Sequence, residues 1–325
     1  MKNKVYDCFT FFNENDILDL RINILKDIVD KFIVIEASKT HAGKDKPFNF
    51  DKQRFSKYQD KIIYFQLTDF PEFKTSWTFE NYQRNYIQNV LEKENCNEED
   101  IILISDVDEI ISPNAIKKYI KSYKGICSLN QKFFYYHINQ LNITESDWKF
   151  PKILRFKDIS TADKYKFKYN EYLIEELNSG NTMTKIRFLT TKNCIKNGGW
   201  HFSYLGGVEK IVSKLQNFSH QEFNNSDIVN AKVITQKIKN NEDILNRGFK
   251  YQIIPITRLD YPKYIMDNKY LLQEFIVRTN FLQNIFYFAD KLVKNIFSVN
   301  ANLNRIKIKL LGIKIACKIQ KKASV

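Results

Sequence analysis

Apolar residues along the first third of this chain switch repeatedly between two periods, and the switches mark out alternating strands and helices. Lys4 to Phe12 is a β-rich, aromatic run ending in Asn13-Glu14-Asn15-Asp16, which reads as a strand opening into a polar loop. Ile17, Leu18, Ile22, Leu25, Ile28 and Val29 then recur at helical spacing, so a helix is expected over Ile17 to Val29. Phe32 to Ile35 is a short, continuous apolar run, the pattern of a strand covered on both faces, and Glu36 stands at its end. Asp60 to Leu67 repeats the strand pattern, and Glu80 to Leu91 reads as a helix bearing Arg84 and Asn85. Ile101 to Ile104 is the clearest buried strand. It exits through Ser105-Asp106-Val107-Asp108-Glu109, after which Ser112 as N-cap and Pro113 at the first helical position open another helix.

This rhythm belongs to an α/β protein built on an open sheet. Ligands of such sheets bind at the carboxyl ends of the strands, where Glu36 and the Asp106/Asp108 pair both stand. Beyond Ile126 the pattern turns β-rich and aromatic, through Phe133-Phe134-Tyr135-Tyr136 and Lys185 to Leu189, before Gly198-Gly199-Trp200-His201. No repeat, low-complexity tract or Pro/Gly-rich linker divides the halves. One domain over residues 1–285 and a basic tail over residues 286–325 is the expected organisation.

Composition narrows the class. The 325 residues carry 51 basic and 37 acidic side chains, a net charge of +14, with 43% hydrophobic and 14% aromatic content. That excludes intrinsic disorder, collagen and a small disulfide scaffold. The longest apolar runs, Ile101 to Ile104 and Leu310 to Ile313, fall far short of the roughly 20 residues of a membrane-spanning helix. Met1 to Phe12 holds too short an apolar stretch for a signal peptide, so a cytoplasmic location is expected. Cys8, Cys96, Cys127, Cys194 and Cys317 show no metal-ligand spacing and read as reduced, mostly buried thiols. Residues 286–325 hold nine basic side chains against Asp290, a net of +8, with Ile306, Ile308, Leu310, Leu311, Ile313, Ile315 and Ile319 among the lysines. Such a segment, helical or extended, is either a solvated element docked on the core or a contact for anionic lipid at the inner face of the plasma membrane. Zinc-finger spacing and RNA-binding signatures are missing, and no nucleic-acid partner is expected.

Asp106 and Asp108 bracket one residue directly after a buried strand, so a short turn can bring both carboxylates to one point outside the sheet. Two such anions repel, and a divalent cation removes the conflict; hard oxygen ligands favour Mn²⁺ or Mg²⁺, which also holds substrate phosphates. Equally, the pair can serve as turn and capping acids before Ser112. His201 follows two glycines that allow close backbone approach and can complete a metal site, or it can be a hydrogen-bonded core histidine beside Trp200.

Taken together, Tyr6 to Glu14, the Asp16 to Arg21 stretch, Val34-Ile35-Glu36-Ala37-Ser38, Ser105 to Glu109 and Gly199-Trp200-His201-Phe202-Ser203 resemble glycosyltransferase family 17 over about Tyr6 to Leu272. The resemblance implies a GT-A-type nucleotide-diphospho-sugar transferase fold with a mixed central sheet flanked by helices, a UDP-sugar donor (UDP-GlcNAc in known members), Mn²⁺ dependence and inversion. It assigns Asp106 and Asp108 to the family's D-x-D-E, with Glu36 facing the uracil or ribose. Arg84 and Asn85 would approach the donor, and His201 would join the two aspartates as metal ligand. Glu209 falls where the family has a glutamate.

Departure of UDP builds negative charge that a divalent Lewis acid offsets, and inversion needs a carboxylate to take the acceptor proton. Glu209 and Asp227 are the candidate bases, with Asp147 behind them. Trp77, Tyr135, Tyr136 and Trp148 are candidates to line an acceptor groove, since flat rings stack on sugar faces; core packing is the alternative. The expected activity is therefore transfer of a sugar from a UDP-sugar to a glycan or lipid-linked glycan, as in bacterial surface polysaccharide or lipopolysaccharide assembly. A metal-dependent nucleotidyl- or phosphotransferase and a non-catalytic basic membrane protein are the other classes that fit.

Overall fold

The computed structural model describes residues 3–73, 75–164, 182–300, 305–310 and 313–318. Their contacts divide the chain into two units, Met1–Gln252 with Thr257–Val277, and Ile253–Ile256 with Arg278–Val325.

The larger unit opens with β1 (Val5–Phe11), α1 (Asn15–Leu25), β2 (Lys31–Ala37), β3 (Ile62–Leu67), α2 (Ser76–Lys93) and β4 (Ile101–Ile104). These elements match the order read from hydrophobic periodicity. It continues through β5 (Glu109–Ile111), α3 (Pro113–Lys121), β6 (Cys127–Tyr135), β7 (Gln140–Asn142), β8 (Asp147–Trp148) and β9 (Lys152–Arg155). After residue 181 come α4 (Thr182–Phe188), β10 (Cys194–Ser203), α5 (Gly207–Asn217), α6 (Ala231–Lys239), the short β11 (Tyr251–Ile253) and α7 (Lys263–Asp267).

Strand order β3-β2-β1-β4-β9-β6-β7 makes a mixed sheet. The four strands β3, β2, β1 and β4 are parallel, β9 runs antiparallel between β4 and β6, and β10 lies parallel to β6. The chain builds outward from β1 to β3 and then returns to β1's other side with β4. That reversal leaves a crevice at the carboxyl ends of β1 and β4, the place where open α/β sheets hold ligands.

Alternation along β1 explains its two coverings. Tyr6 and Cys8 join Ile33, Ile35, Ile102 and Ile104 in a core closed by Phe79, Ile87, Val90 and Leu91 of α2. Asp7 and Phe9 face the other way, toward α1, whose Arg21 is fully buried with its guanidinium 4.4 Å from the Phe9 ring centre. Arg21 forks onto Asp7 (2.7 and 2.5 Å) and also donates to Ser105 Oγ and to the backbone carbonyls of Asp106, Val107 and Glu109 (2.7, 3.1 and 3.2 Å). One side chain thereby satisfies a buried carboxylate and three carbonyls of the turn leaving β4.

Helix ends follow local chemistry. Thr75 and Thr78 form a reciprocal cap at the start of α2. Ser112 is the N-cap of α3 with Pro113 beside it, as expected, although the Ser112 side chain makes no capping hydrogen bond. Lys185 to Leu189, read as part of a β-rich stretch, is instead mostly helical. Met183 and Ile186, three apart, are buried in the core shared with α2, and Asn85 Oδ1 accepts the Thr184 N–H at 2.9 Å to start the helix. Cys8 and Cys127 are buried and Cys96 partly so, whereas Cys194 is exposed; all four are free thiols.

Gly199 sits at φ +146° where β10 crosses to β5, and a Cβ there would lie 2.1 Å from the Ile110 carbonyl oxygen. At Gly198 a Cβ would come within 2.9 Å of the β6 backbone. The close approach expected of these glycines is what lets β10 pair with both neighbours.

In the smaller unit, α8 (Phe281–Asn300) precedes β12 (Arg305–Leu310) and β13 (Ile313–Lys318), which pair antiparallel. Tail positions Leu311, Ile319, Lys321 and Lys322 lie outside the described residues.

Two outcomes follow from the packing. Arg21→Met should cost about 3–5 kcal/mol by stranding Asp7 in the core, lowering the thermal midpoint by roughly 10 °C in calorimetry. Gly199→Ala should cost about 2 kcal/mol or more, seen as a lower urea midpoint at unchanged slope.

Candidate active site

A cleft of about 1440 Å³ opens at the carboxyl ends of the parallel strands. Thr10 to Phe12 at the end of β1 and Lys39 to His41 after β2 line one part of it, and the Asp106-Val107-Asp108 turn lines its floor. The turn is built from within as well as clamped by Arg21. Glu109, fully buried, accepts the Asp106 N–H at 2.7 Å, while the Glu109 N–H returns to the Asp106 carbonyl at 3.0 Å. Arg187 of α4 grips both Glu109 oxygens at 2.7 Å, and the Trp148 indole N–H donates to the same carboxylate.

The two aspartates face different cations. Asp106, a third exposed, receives Arg187 at 2.6 Å and Arg84 at 3.0 Å. Asp108 receives Lys214 of α5 at 2.9 Å, and its other oxygen lies 3.5 Å from His201 Nε2. Desolvation pushes the Asp108 carboxyl up, but Lys214 and His201 outweigh it and hold the group well below the usual carboxylate range. At Asp106 desolvation, helped by the neighbouring Glu109, prevails over Arg187 and Arg84 and raises the group. Lys214 is itself pushed up, because Asp108 more than offsets its loss of water. The floor therefore sets a strongly anionic carboxylate beside one more easily protonated, each already touching a cation.

His201 is placed by the sheet. Its partner in β5 is Glu109, its ring stacks on Phe133 (4.4 Å between centres, 4° between planes), and Trp148 packs against both rings, 4.5 Å from His201 and 4.8 Å from Phe133. Phe202 N–H donates to the Asp108 carbonyl at 2.8 Å, locking the strand to the turn. The 3.5 Å from His201 Nε2 to Asp108 is long for a hydrogen bond, and Nδ1 is buried without a partner. Among the described residues no set of three His, Cys, Asp or Glu side chains converges on one point. Of the expected trio the structure brings Asp108 and His201 together and turns Asp106 toward two arginines. A nitrogen and an oxygen donor remain, which suits an ion that completes its shell with substrate phosphate and water.

A polar relay occupies the α2 wall. Arg84 also bonds Glu80 at 2.6 Å, and Glu80 accepts from Ser219, whose hydroxyl lies 3.1 Å from His41 Nδ1. Gln83 donates to the Ile35 carbonyl, which turns its amide oxygen toward His41 Nε2 at 2.9 Å; that ring nitrogen thus carries the hydrogen.

Other expected residues lie elsewhere. Glu36 is fully buried and saturated by Lys46, the Asn49 and Phe50 amides and Tyr64, so it ties residues 46–50 to the sheet instead of lining the cleft. Asn85 caps α4 and holds the helix that carries Arg187. Tyr136, at φ +61°, is buried away from the cleft, donating to the Glu242 carbonyl and accepting from the Ile244 amide. Glu209 is exposed in the first turn of α5, where an acid suits the helix N-terminus, and Asp227 and Asp147 are also exposed; none of the three lines the cleft. Trp77, Tyr135 and Trp148 do line it, Trp77 edge-on to His220 at 4.5 Å and Tyr135 bonded to Arg247 at 2.8 Å.

Arg21, Glu109, Arg187 and Lys214 were not among the candidate residues. Arg21 and Glu109 lie in stretches that carried the resemblance, and an arginine on the apolar face formed by Ile17, Leu18, Ile22 and Leu25 was itself a visible signal, since a buried charge requires a partner.

A model of glycosyltransferase family 17 matches residues 1–180. The β-1,4-mannosyl-glycoprotein 4-β-N-acetylglucosaminyltransferases of Rattus norvegicus and Homo sapiens are each 28% identical over 130 residues, 38% of this chain and 24% of those proteins. The matched region thus spans about a quarter of the length of these relatives. Among solved structures, the crystal structure of S. aureus TarS 1-349 aligns over 73% of this chain and 72% of that one, with a TM-score of 0.35 and 13% identity. With the matched region extending over more than half of its residues, the chain belongs to glycosyltransferase family 17.

Proposed function

We propose that this protein transfers GlcNAc from UDP-GlcNAc, with inversion, to a glycan acceptor on a GT-A-type scaffold. The observation that carries the reading is the Asp106/Asp108 turn on the floor of a large cleft at the sheet's reversal point, ringed by Arg84, Arg187 and Lys214. Such a floor suits a nucleoside diphosphate, whose two phosphates need cationic donors and whose departure needs charge stabilised at a fixed place. The names of the curated relatives supply GlcNAc as the sugar.

Asp108 and His201, with Asp106 beside them, would hold Mn²⁺ or Mg²⁺, which as a Lewis acid lowers the cost of charge developing on the leaving diphosphate. The chain's own residues do the rest. Arg84, Arg187 and Lys214 orient the phosphates, and the rings of Trp77, Tyr135 and Trp148 offer flat faces for sugar. The acceptor proton goes to a carboxylate that lines the cleft. Glu145, three residues before Trp148 on the aromatic wall, fits this role better than Glu209 or Asp227. A lipid-linked intermediate of a bacterial-type surface polysaccharide or lipopolysaccharide, met at the cytoplasmic face of the membrane, is the acceptor class that accords with the basic tail.

Asp108→Ala should abolish UDP release from UDP-GlcNAc in a coupled assay while the far-ultraviolet circular dichroism stays unchanged, and chelation should do the same reversibly, with Mn²⁺ restoring turnover. Glu145→Gln should lower kcat at least about 100-fold, whereas Glu209→Gln and Asp227→Asn should leave it within about twofold.

A further inference from the structure

The smaller unit carries a surface that the cleft does not use. On α8, Phe281, Ile285, Phe288 and Leu292 recur at spacings of four, three and four, which puts them on one helical face, and Leu282, Phe286 and Val293 widen it. All seven are exposed, from 46% for Ile285 and Val293 to 77% for Phe281. Gln283, Asp290 and Lys291 occupy the other side of the helix with Tyr287, which is buried. The helix thus presents its apolar stripe to solvent, the reverse of what packing onto a core requires.

The strands that follow are divided in the same way. In the β12–β13 register, positions 305, 307, 309, 314, 316 and 318 share one face and hold Arg305, Lys307, Lys309, Lys314, Ala316 and Lys318. Positions 306, 308, 310, 313, 315 and 317 share the other and hold Ile306, Ile308, Leu310, Ile313, Ile315 and Cys317. Five cations on one face and six apolar residues on the other make the hairpin amphipathic. Over residues 286–325 the sequence carries nine basic side chains against a single acid, Asp290.

We infer that this unit docks on the surface of a bilayer containing anionic lipid, with the stripe of α8 entering the headgroup boundary and the basic residues held by lipid phosphate. An apolar helical face beside a dense cationic charge is the combination that interfacial binding needs. Among the described residues no helix is long and apolar enough to cross a membrane, so the contact lies in the interfacial plane. A second copy of the chain is disfavoured as occupant, because pairing these surfaces would bring two segments of +8 together. A nucleic acid would answer the charge and leave the seven exposed apolar side chains uncovered.

Flotation of the full chain with phosphatidylglycerol/phosphatidylcholine vesicles tests this independently of catalysis. The protein should float with the anionic vesicles. The bound fraction should fall at least about tenfold on phosphatidylcholine alone, in about 0.5 M salt, and in each of the paired variants Leu282→Asp/Phe286→Asp and Lys307→Glu/Lys309→Glu, with unfolding midpoints unchanged. Failure of the full chain to float, or equal flotation without anionic lipid, overturns the inference. So does undiminished flotation of the Leu282→Asp/Phe286→Asp variant, which marks a purely ionic contact. A stable dimer in sedimentation equilibrium that this same variant abolishes, without flotation, assigns the face to a second copy.

Discussion

Everything in the cleft depends on the burial of one ion pair. Arg21 and Asp7 lie wholly inside the larger unit, and an isolated charge there would be prohibitively costly. Their pairing leaves guanidinium hydrogens over, and these reach the carbonyls of the turn after β4. The turn's backbone is thus fixed from the core side. Its acidic side chains point outward because its carbonyls are held inward, so a helix facing away from the cleft determines what the cleft presents.

A second layer of charge repeats the theme from the solvent side. Arg187 spans Glu109 and Asp106, Arg84 joins Asp106 to Glu80, and Lys214 meets Asp108. Cations and anions alternate across the floor, so no single charge is stranded before a ligand enters. On the function proposed above, an arriving diphosphate would compete with Asp106 and Asp108 for the same donors, leaving the aspartates to a metal ion. Exchange of partners costs less than creation of new buried charge.

Much of the fold was legible because burial imposes periodicity. β1, β2, β3, α1, α2 and β4 lie where the apolar spacing put them, and the Ser112-Pro113 start of α3 agrees to the residue. Residues 185–189 went wrong because Ile186, Phe188 and Leu189 alternate loosely enough to pass for a strand, while the helix draws on contacts with α2. In the site, spacing alone left Asp106, Asp108 and His201 open to a purely structural role and the family resemblance singled them out; all three line the cleft. Glu36, Asn85 and Tyr136 were not readable as scaffolding, since the donors and acceptors that engage them come from 10 to 108 residues away or from backbone that one strand cannot reveal. Arg187 and Lys214 were invisible for the same reason: their partners are 78 to 106 positions distant.

The double pairing of β10 has a mechanical consequence. Through Gly198 and Gly199 the strand is pressed against β6 on one side and β5 on the other, and its Phe202 amide is tied to the Asp108 carbonyl. The imidazole and the second aspartate are therefore geared to one another through main chain, so a shift of the strand carries both, whereas the Asp106 carboxylate answers to Arg84 and Arg187 instead.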